Sequence, residues 1–257
     1  MDKKNKGSLV AERTLNALML FSKEKYLSVG DIASALEISL PAAYRLVDSL
    51  STTGFIQREQ SKEYSLAAPN ILRLYNMIEH DIRIVARPII KKLAMEFKES
   101  VYLSIVHGEN SYYSFIEGEE SPSIIKWSQE IGSAFPLATG TAGKTHLAYI
   151  IKDYNESEKE SFISNLELRA HTENSLVTTE QLKRSINEIL EKGYGYTNSE
   201  HVQGAVGISV PIFNFDESKV VAVLSAFMPD SHFEKSKLMY YVTSLKNGAN
   251  KIGKSIS

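Results

Sequence analysis

The 257-residue sequence predicts an α+β protein of two domains. Three observations carry this. Residues 9–54 hold three apolar stretches at helical spacing. Two short alternating runs follow, with a turn between them. Beyond residue 100, alternating strand-like runs bracket further helical segments, the pattern of a mixed, largely antiparallel sheet with helices grouped at one side.

The first helix is expected over residues 9–22, with Ala11, Leu15, Leu18 and Met19 on one stripe. In LSVGDIASALEI, Ser28 caps a second helix, with Asp31 where a capping-box acid sits and Ile32, Ala33 and Leu36 as the apolar face. In SLPAAYRLVDSLSTTGFI, Ser39 is a good N-cap and Pro41 falls in the first turn, where its missing N–H costs no helical bond. Ala43, Leu46, Val47 and Leu50 follow the i, i+3, i+4, i+7 rule and pack inward, and Gly54 ends the helix. Pro41, Arg45, Asp48 and Thr52 occupy the opposite face, with Ala42 and Tyr44 on its flanks. FIQRE and EYSLA then form a hairpin around Gln60, Ser61 and Lys62. Three helices and a hairpin make a winged helix-turn-helix, whose third helix enters the DNA major groove. A bundle serving only protein contact has the same elements, and Asp48 is unfavourable near phosphate.

The domains divide as 1–68, a linker helix at 69–84, and 85–257. Pro69 suits a helix start, and Ile71, Leu74, Tyr75 and Ile78 form a stripe. Pro88 is expected to break or kink the helical pattern, which Ile89, Leu93 and Phe97 resume. SVYLSIVHG, SYYSFIEG and SIIKWSQEIG read as three antiparallel strands. Helices are expected at 141–151, 157–165, 178–192 and 234–256, and strands at GAVGISVPIF and KVVAVLSAFMP around a turn at Asn214–Ser218.

Composition bounds the function. The chain has no cysteine, so disulfides, thiolate metal sites and thiol nucleophiles are excluded, and a reducing, cytoplasmic location fits. No apolar run approaches the ~20 residues of a membrane span. Net charge is −2, and residues 1–80 carry ten Lys/Arg against nine Asp/Glu. Any DNA contact therefore comes from local placement. The six histidines include no helical i, i+4 pair, so neither a metal nor a cofactor is expected. TGTAGKT at 139–145 is not a phosphate loop, because the glycine required five residues before Gly143 is Ala138. It reads instead as a helix start whose free N–H groups suit a small carboxylate, or as a turn that packs small residues.

The sequence resembles the IclR-type transcriptional regulators. LSVGDIASALEISLPAAYRLVDSLSTTGFIQRE carries the likeness in the first half. FPLATGTAGKTHLAY, LRAHTENSLVTTEQLKRSINEILEKGYGYTNSEHVQGAVGISVPIF and VVAVLSAFMP carry it in the second, in order and over roughly residues 9 to 256. The resemblance implies a winged helix-turn-helix, a linker helix and a GAF/PAS-like effector domain, in homodimers or dimers of dimers. It implies a sequence-specific regulator, more commonly a repressor, controlled by a small organic acid, and not an enzyme. Family members usually carry a basic or polar run where this chain has Leu40, Pro41, Ala42 and Ala43. The expected DNA contacts are therefore Ser39, Pro41, Ala42, Tyr44 and Arg45, with Arg58 and Lys62 on the wing. Carried across residue by residue, the effector cavity falls on Thr141, Ala142, Thr197, Ala205, Gly207, Ser225 and Phe227. Thr197 replaces a common acid and Phe227 a common serine, which makes an apolar or aromatic monocarboxylate the expected ligand. An enzyme with its active site in the α/β domain and a ligand-independent regulator are the competing readings.

Overall fold

The computed structural model describes residues 8–76, 82–107 and 112–256. The chain divides into two compact units, Met1–Glu79 and His80–Ser257.

The first unit contains α1 (Leu9–Leu20), α2 (Val29–Ala35), α3 (Leu40–Thr52), β1 (Ile56–Arg58), β2 (Tyr64–Leu66) and α4 (Ala68–Asn76). Ser28 closes a full capping box on α2: its Oγ accepts from the Asp31 amide, and the Asp31 carboxylate accepts from the Ser28 amide at 2.8 Å. Gly54, just past α3, takes the left-handed conformation at φ +74°, which a glycine adopts without a Cβ penalty. β1 and β2 pair antiparallel, with Gln57 opposite Ser65. Ala43, Leu46, Val47 and Leu50 are buried with Ile32, Ala33 and Ile56.

The first helix packs differently from its expected stripe. Leu15 and Met19 are each 63% exposed, and Ala17 and Phe21 are the buried positions. α1 is apolar on two arcs, and the arc with the small Ala17 allows the closer approach to the other helices. Leu9 and Val10 are exposed along with Leu15 and Met19.

The second unit contains α5 (Ile82–Phe97), β3 (Ser100–His107), β4 (Tyr112–Glu119), β5 (Ala134–Pro136), α6 (Gly140–Ile150), α7 (Glu156–Ser164), α8 (Thr179–Lys192), β6 (Gly195–Asn198), β7 (Ala205–Phe213), β8 (Val220–Pro229) and α9 (Leu238–Gly253). The sheet order is β5-β4-β3-β8-β7-β6, and every pairing is antiparallel. Strand alternation sends Val101, Leu103, Leu224 and Ala226 to one face, against α5 and α9. It sends Tyr102, Val223 and Phe227 to the other, with the apolar side chains of α6 and α8.

Three expectations need correction. Of the two outcomes expected at Pro88, a break does not occur, because Pro88 lies inside α5. It sits on an exposed position, where water can take the carbonyl that loses its donor. Residues 123–132 form no strand, and the third strand of that group is the short β5. The amides of Ser123 and Gln129 donate to the Ser121 Oγ and the Tyr102 hydroxyl, and that of Gly132 to the Phe115 carbonyl, so single bonds stand in place of a ladder. β6 lies in a segment not expected to be extended. The expected linker at 69–84 holds α4 from its second residue onward and the start of α5, and Ile78 lies outside the described residues.

Candidate DNA-binding surface and effector cavity

The outward face of α3 is as lean as its sequence. Ser39 is the N-cap but makes no side-chain cap bond, so its hydroxyl is free to meet a ligand. Ser39, Pro41, Tyr44 and Arg45 are exposed, and Ala42 is half-buried. Arg58 ends β1, and Lys62 sits in the wing turn at φ +69°. Both are exposed. Among the described residues, Arg45, Arg58 and Lys62 enter no ion pair, so all three charges face outward uncompensated. Ala42 and Pro41 offer only apolar contact, the kind a thymine methyl accepts.

In the second unit, two rows of residues cross the sheet beneath α6. One runs Thr197–Gly207–Phe227–Ser100, and the next runs Gly195–Ser209–Ser225–Tyr102–Gly118. Glycines sit where the rows are tightest. A Cβ on Gly207 would lie 2.6 Å from Thr141 Cγ2 and 3.1 Å from Phe227 Cε1. One on Gly118 would meet the Tyr102 ring at 2.3 Å.

Thr197, Gly207 and Phe227 of the first row border a cavity of about 40 Å³. Thr141, Thr197, Ala205, Gly207 and Phe227 line it, together with Tyr113, Phe115, Trp127, Phe135 and Glu200. Ala142 and Ser225 do not line it. Ala142 is fully buried in the core, and the Ser225 hydroxyl donates to Ser209 Oγ at 3.1 Å. Ser209 in turn donates to Thr141 Oγ1 at 2.9 Å, so Ser225 reaches the cavity wall through a relay of hydroxyls.

One end of the cavity is the start of α6. Thr139, its N-cap, makes no side-chain bond, which leaves the first-turn amides available. Gly140 takes φ +63°, and a Cβ on Gly143 would clash with the Leu137 carbonyl at 2.6 Å, so the turn is built tight. The opposite walls are aromatic. The Trp127 and Phe227 rings stack at 4.1 Å with an interplanar angle of 20°, and Phe115 meets both edge-on. Burial also pushes the Tyr113 hydroxyl pKa up, so this group stays protonated as a donor. Tyr113, Phe115, Trp127 and Phe135 escaped the sequence reading. SYYSF and the sole tryptophan were visible as aromatic enrichment, but nothing local shows that they converge.

Behind the cavity, His146 is buried, and its Nε2 lies 3.0 Å from Ser104 Oγ. Desolvation lowers its pKa to about 3, so the ring is neutral. Among the described residues, no group of three or more His, Asp or Glu side chains is arranged to hold a metal. No helix there is long and apolar enough to cross a membrane.

The helix-turn-helix model of the IclR regulators matches residues 10–60, and the model of the bacterial transcriptional regulator IclR C-terminal domain matches residues 76–254. The chain belongs to the IclR family of bacterial transcriptional regulators. As a member it is a DNA-binding regulator of transcription. It is 27% identical to the HTH-type transcriptional regulator KipR of Bacillus subtilis, over 100% of this chain and 99% of that one. It is 25% identical to the HTH-type transcriptional repressor AllR of Salmonella typhimurium, over 91% of this chain and 85% of that one. Its fold is shared with an IclR homolog from Microbacterium hydrocarbonoxydans, solved in complex with 4-hydroxybenzoate. The TM-score there is 0.79 at 20% identity, over 96% of this chain and 98% of that one.

Proposed function

We propose that this IclR-family regulator represses transcription from a pseudo-palindromic operator, and that an aromatic monocarboxylate bound in the cavity beneath α6 releases it. The observation that carries this reading is the make-up of the cavity: aromatic walls facing an uncapped helix start. Flat rings stack on such walls, and first-turn amides favour a carboxylate. A short keto or hydroxy acid leaves the walls unfilled. The homolog solved with 4-hydroxybenzoate supports the ligand class, and the name of AllR supports the sign of regulation. No catalytic role belongs to this reading, and the site of action is the bacterial cytoplasm, where the chromosome lies.

On the DNA side, Ser39, Tyr44 and Arg45 act at the start of α3 and Arg58 and Lys62 on the wing, with Pro41 and Ala42 supplying apolar contact. Three charges per unit give weak binding alone, so a homodimer or dimer of dimers adds half-sites. The exposed apolar arc of α1, Leu9, Leu15 and Met19, supports a second copy as its cover.

At about 40 Å³ the cavity holds roughly three waters. A benzene-sized ring needs on the order of 150 Å³. The ligand therefore takes the place of Trp127 on the Phe227 face. Trp127 is the sole tryptophan, so its emission reports the event. Saturable change with 4-hydroxybenzoate and none with pyruvate supports the reading. No response to any aromatic acid, with calorimetry equally silent, ends it.

A further inference from the structure

The helix start explains most of the Gly-Thr-Ala-Gly-Lys turn but not Lys144. The Lys144 side chain is 1% exposed, and its Nζ donates to Glu200 Oε2 at 2.6 Å. A buried ammonium is costly, and an apolar side chain of similar length fills such a core position at less expense. Desolvation lowers the Lys144 pKa, and Glu200 opposes that shift. Glu200 sits at the rim, with its side chain 18% exposed. It borders both the aromatic cavity and a neighbouring one of about 20 Å³, as do Gly140 and His201. His201 Nδ1 is buried with no hydrogen-bond partner among the described residues. Lys144 thus pairs with a carboxylate that the protein itself supplies, and that carboxylate borders the same two cavities as His201 and the start of α6.

We infer that Lys144 is the charge anchor for the effector's carboxylate, and that Glu200 is the resident carboxylate the effector displaces. This rests on the carboxylate reading above and adds the group that pairs the charge. The exchange sets one carboxylate in place of another, so the ammonium stays paired throughout. Glu200 is able to leave without unfolding its segment. Ser175 Oγ donates to the Glu200 carbonyl at 2.7 Å, and Asn174 Nδ2 donates to the Asn198 carbonyl at 3.3 Å. These bonds hold the backbone while the side chain swings to water.

The test uses the full chain and the variants Glu200→Gln, Glu200→Ala and Lys144→Met, with 4-hydroxybenzoate and acetate as probes. Calorimetry should find 4-hydroxybenzoate bound about tenfold tighter by Glu200→Gln, because an internal competitor is gone. Lys144→Met should bind it more than about tenfold weaker. Glu200→Ala should melt below the parent, and acetate should restore its Tm saturably without raising that of the parent. If the parent binds 4-hydroxybenzoate and both Glu200→Gln and Lys144→Met match it within about twofold, the ion pair is only a structural clamp. The inference then falls while the proposed function stands. If no aromatic acid binds the parent, the proposed ligand class falls, and acetate alone decides the anchor: saturable rescue of Glu200→Ala keeps it, and no rescue overturns it.

Discussion

Phe227→Ser probes the aromatic wall most sharply. Phe227 is 8% exposed and stacks on Trp127, with Tyr102 and Phe115 edge-on at 6.3 and 5.7 Å. Truncating a buried phenylalanine costs about 3–5 kcal/mol. This ring borders an existing cavity, so the low end, about 3 kcal/mol, applies. In a unit of this size each kcal/mol lowers Tm by roughly 2–4 °C, so the effector unit should melt roughly 6–12 °C lower. Aromatic pairing contributes about 0.5–1.5 kcal/mol beyond burial, so 4-hydroxybenzoate should bind roughly 2- to 12-fold more weakly. A three-carbon keto acid gains a hydroxyl partner, and its disadvantage against the aromatic acid should narrow or reverse. Calorimetry across an acid series, below the measured Tm of the variant, decides this. A lower Tm with an unchanged ranking of acids means that the ring packs the core without touching ligand. An unchanged Tm refutes the burial argument itself.

Other perturbations test separate parts of the account. If Arg45 holds a phosphate, Arg45→Ala should lower the salt slope of DNA binding by about 0.9. If it reads guanine, preference at one base should relax by roughly 1–3 kcal/mol. An unchanged slope and preference in the Arg45→Ala, Arg58→Ala double variant contradicts both. Sedimentation should find a dimer or tetramer, and a monomer bound one per DNA site contradicts the half-site argument. His146 has a folded pKa of about 3, below its unfolded value of about 6.5, so the unfolded chain takes up the proton first on acidification. Its contribution to stability is intact above pH ~6.5 and is progressively lost toward pH ~3, at about 1.4 kcal/mol by pH 5.5. His146→Gln should remove that part of the fall in urea midpoint between pH 7 and 5.5, and equal falls in both proteins contradict it.

Most of the fold was legible where local chemistry and tertiary packing agree. Ser28, Asp31 and Gly54 bound their helices as capping rules require, and the alternation of β3, β4, β7 and β8 follows the two faces of the sheet. Local signals failed where tertiary contacts decide. Ile124, Ile125 and Trp127 have strand propensity, yet Ile124 is fully exposed and nearby amides bond to side chains on β3. β6 has four residues, one a glycine, too short for alternation to register. α1 carries apolar residues on two arcs, and spacing alone does not say which is buried. In the cavity, family resemblance marked Thr141, Thr197 and Gly207, whose positions are set by one helix start and one sheet row. Trp127 meets Phe227, and Lys144 meets Glu200, only after the chain folds back over many residues, and no short motif encodes such pairs.

The most direct measurement is anisotropy of an operator duplex, isolated by selecting genomic fragments on the full-length protein, titrated at fixed salt with and without saturating 4-hydroxybenzoate. A pseudo-palindromic site bound by two or four chains is expected, with affinity at least about fivefold lower with the acid present. The same shift should be blunted in Phe227→Ser. Identical DNA affinity with and without an acid that calorimetry shows to be bound would contradict the coupling at the centre of the account.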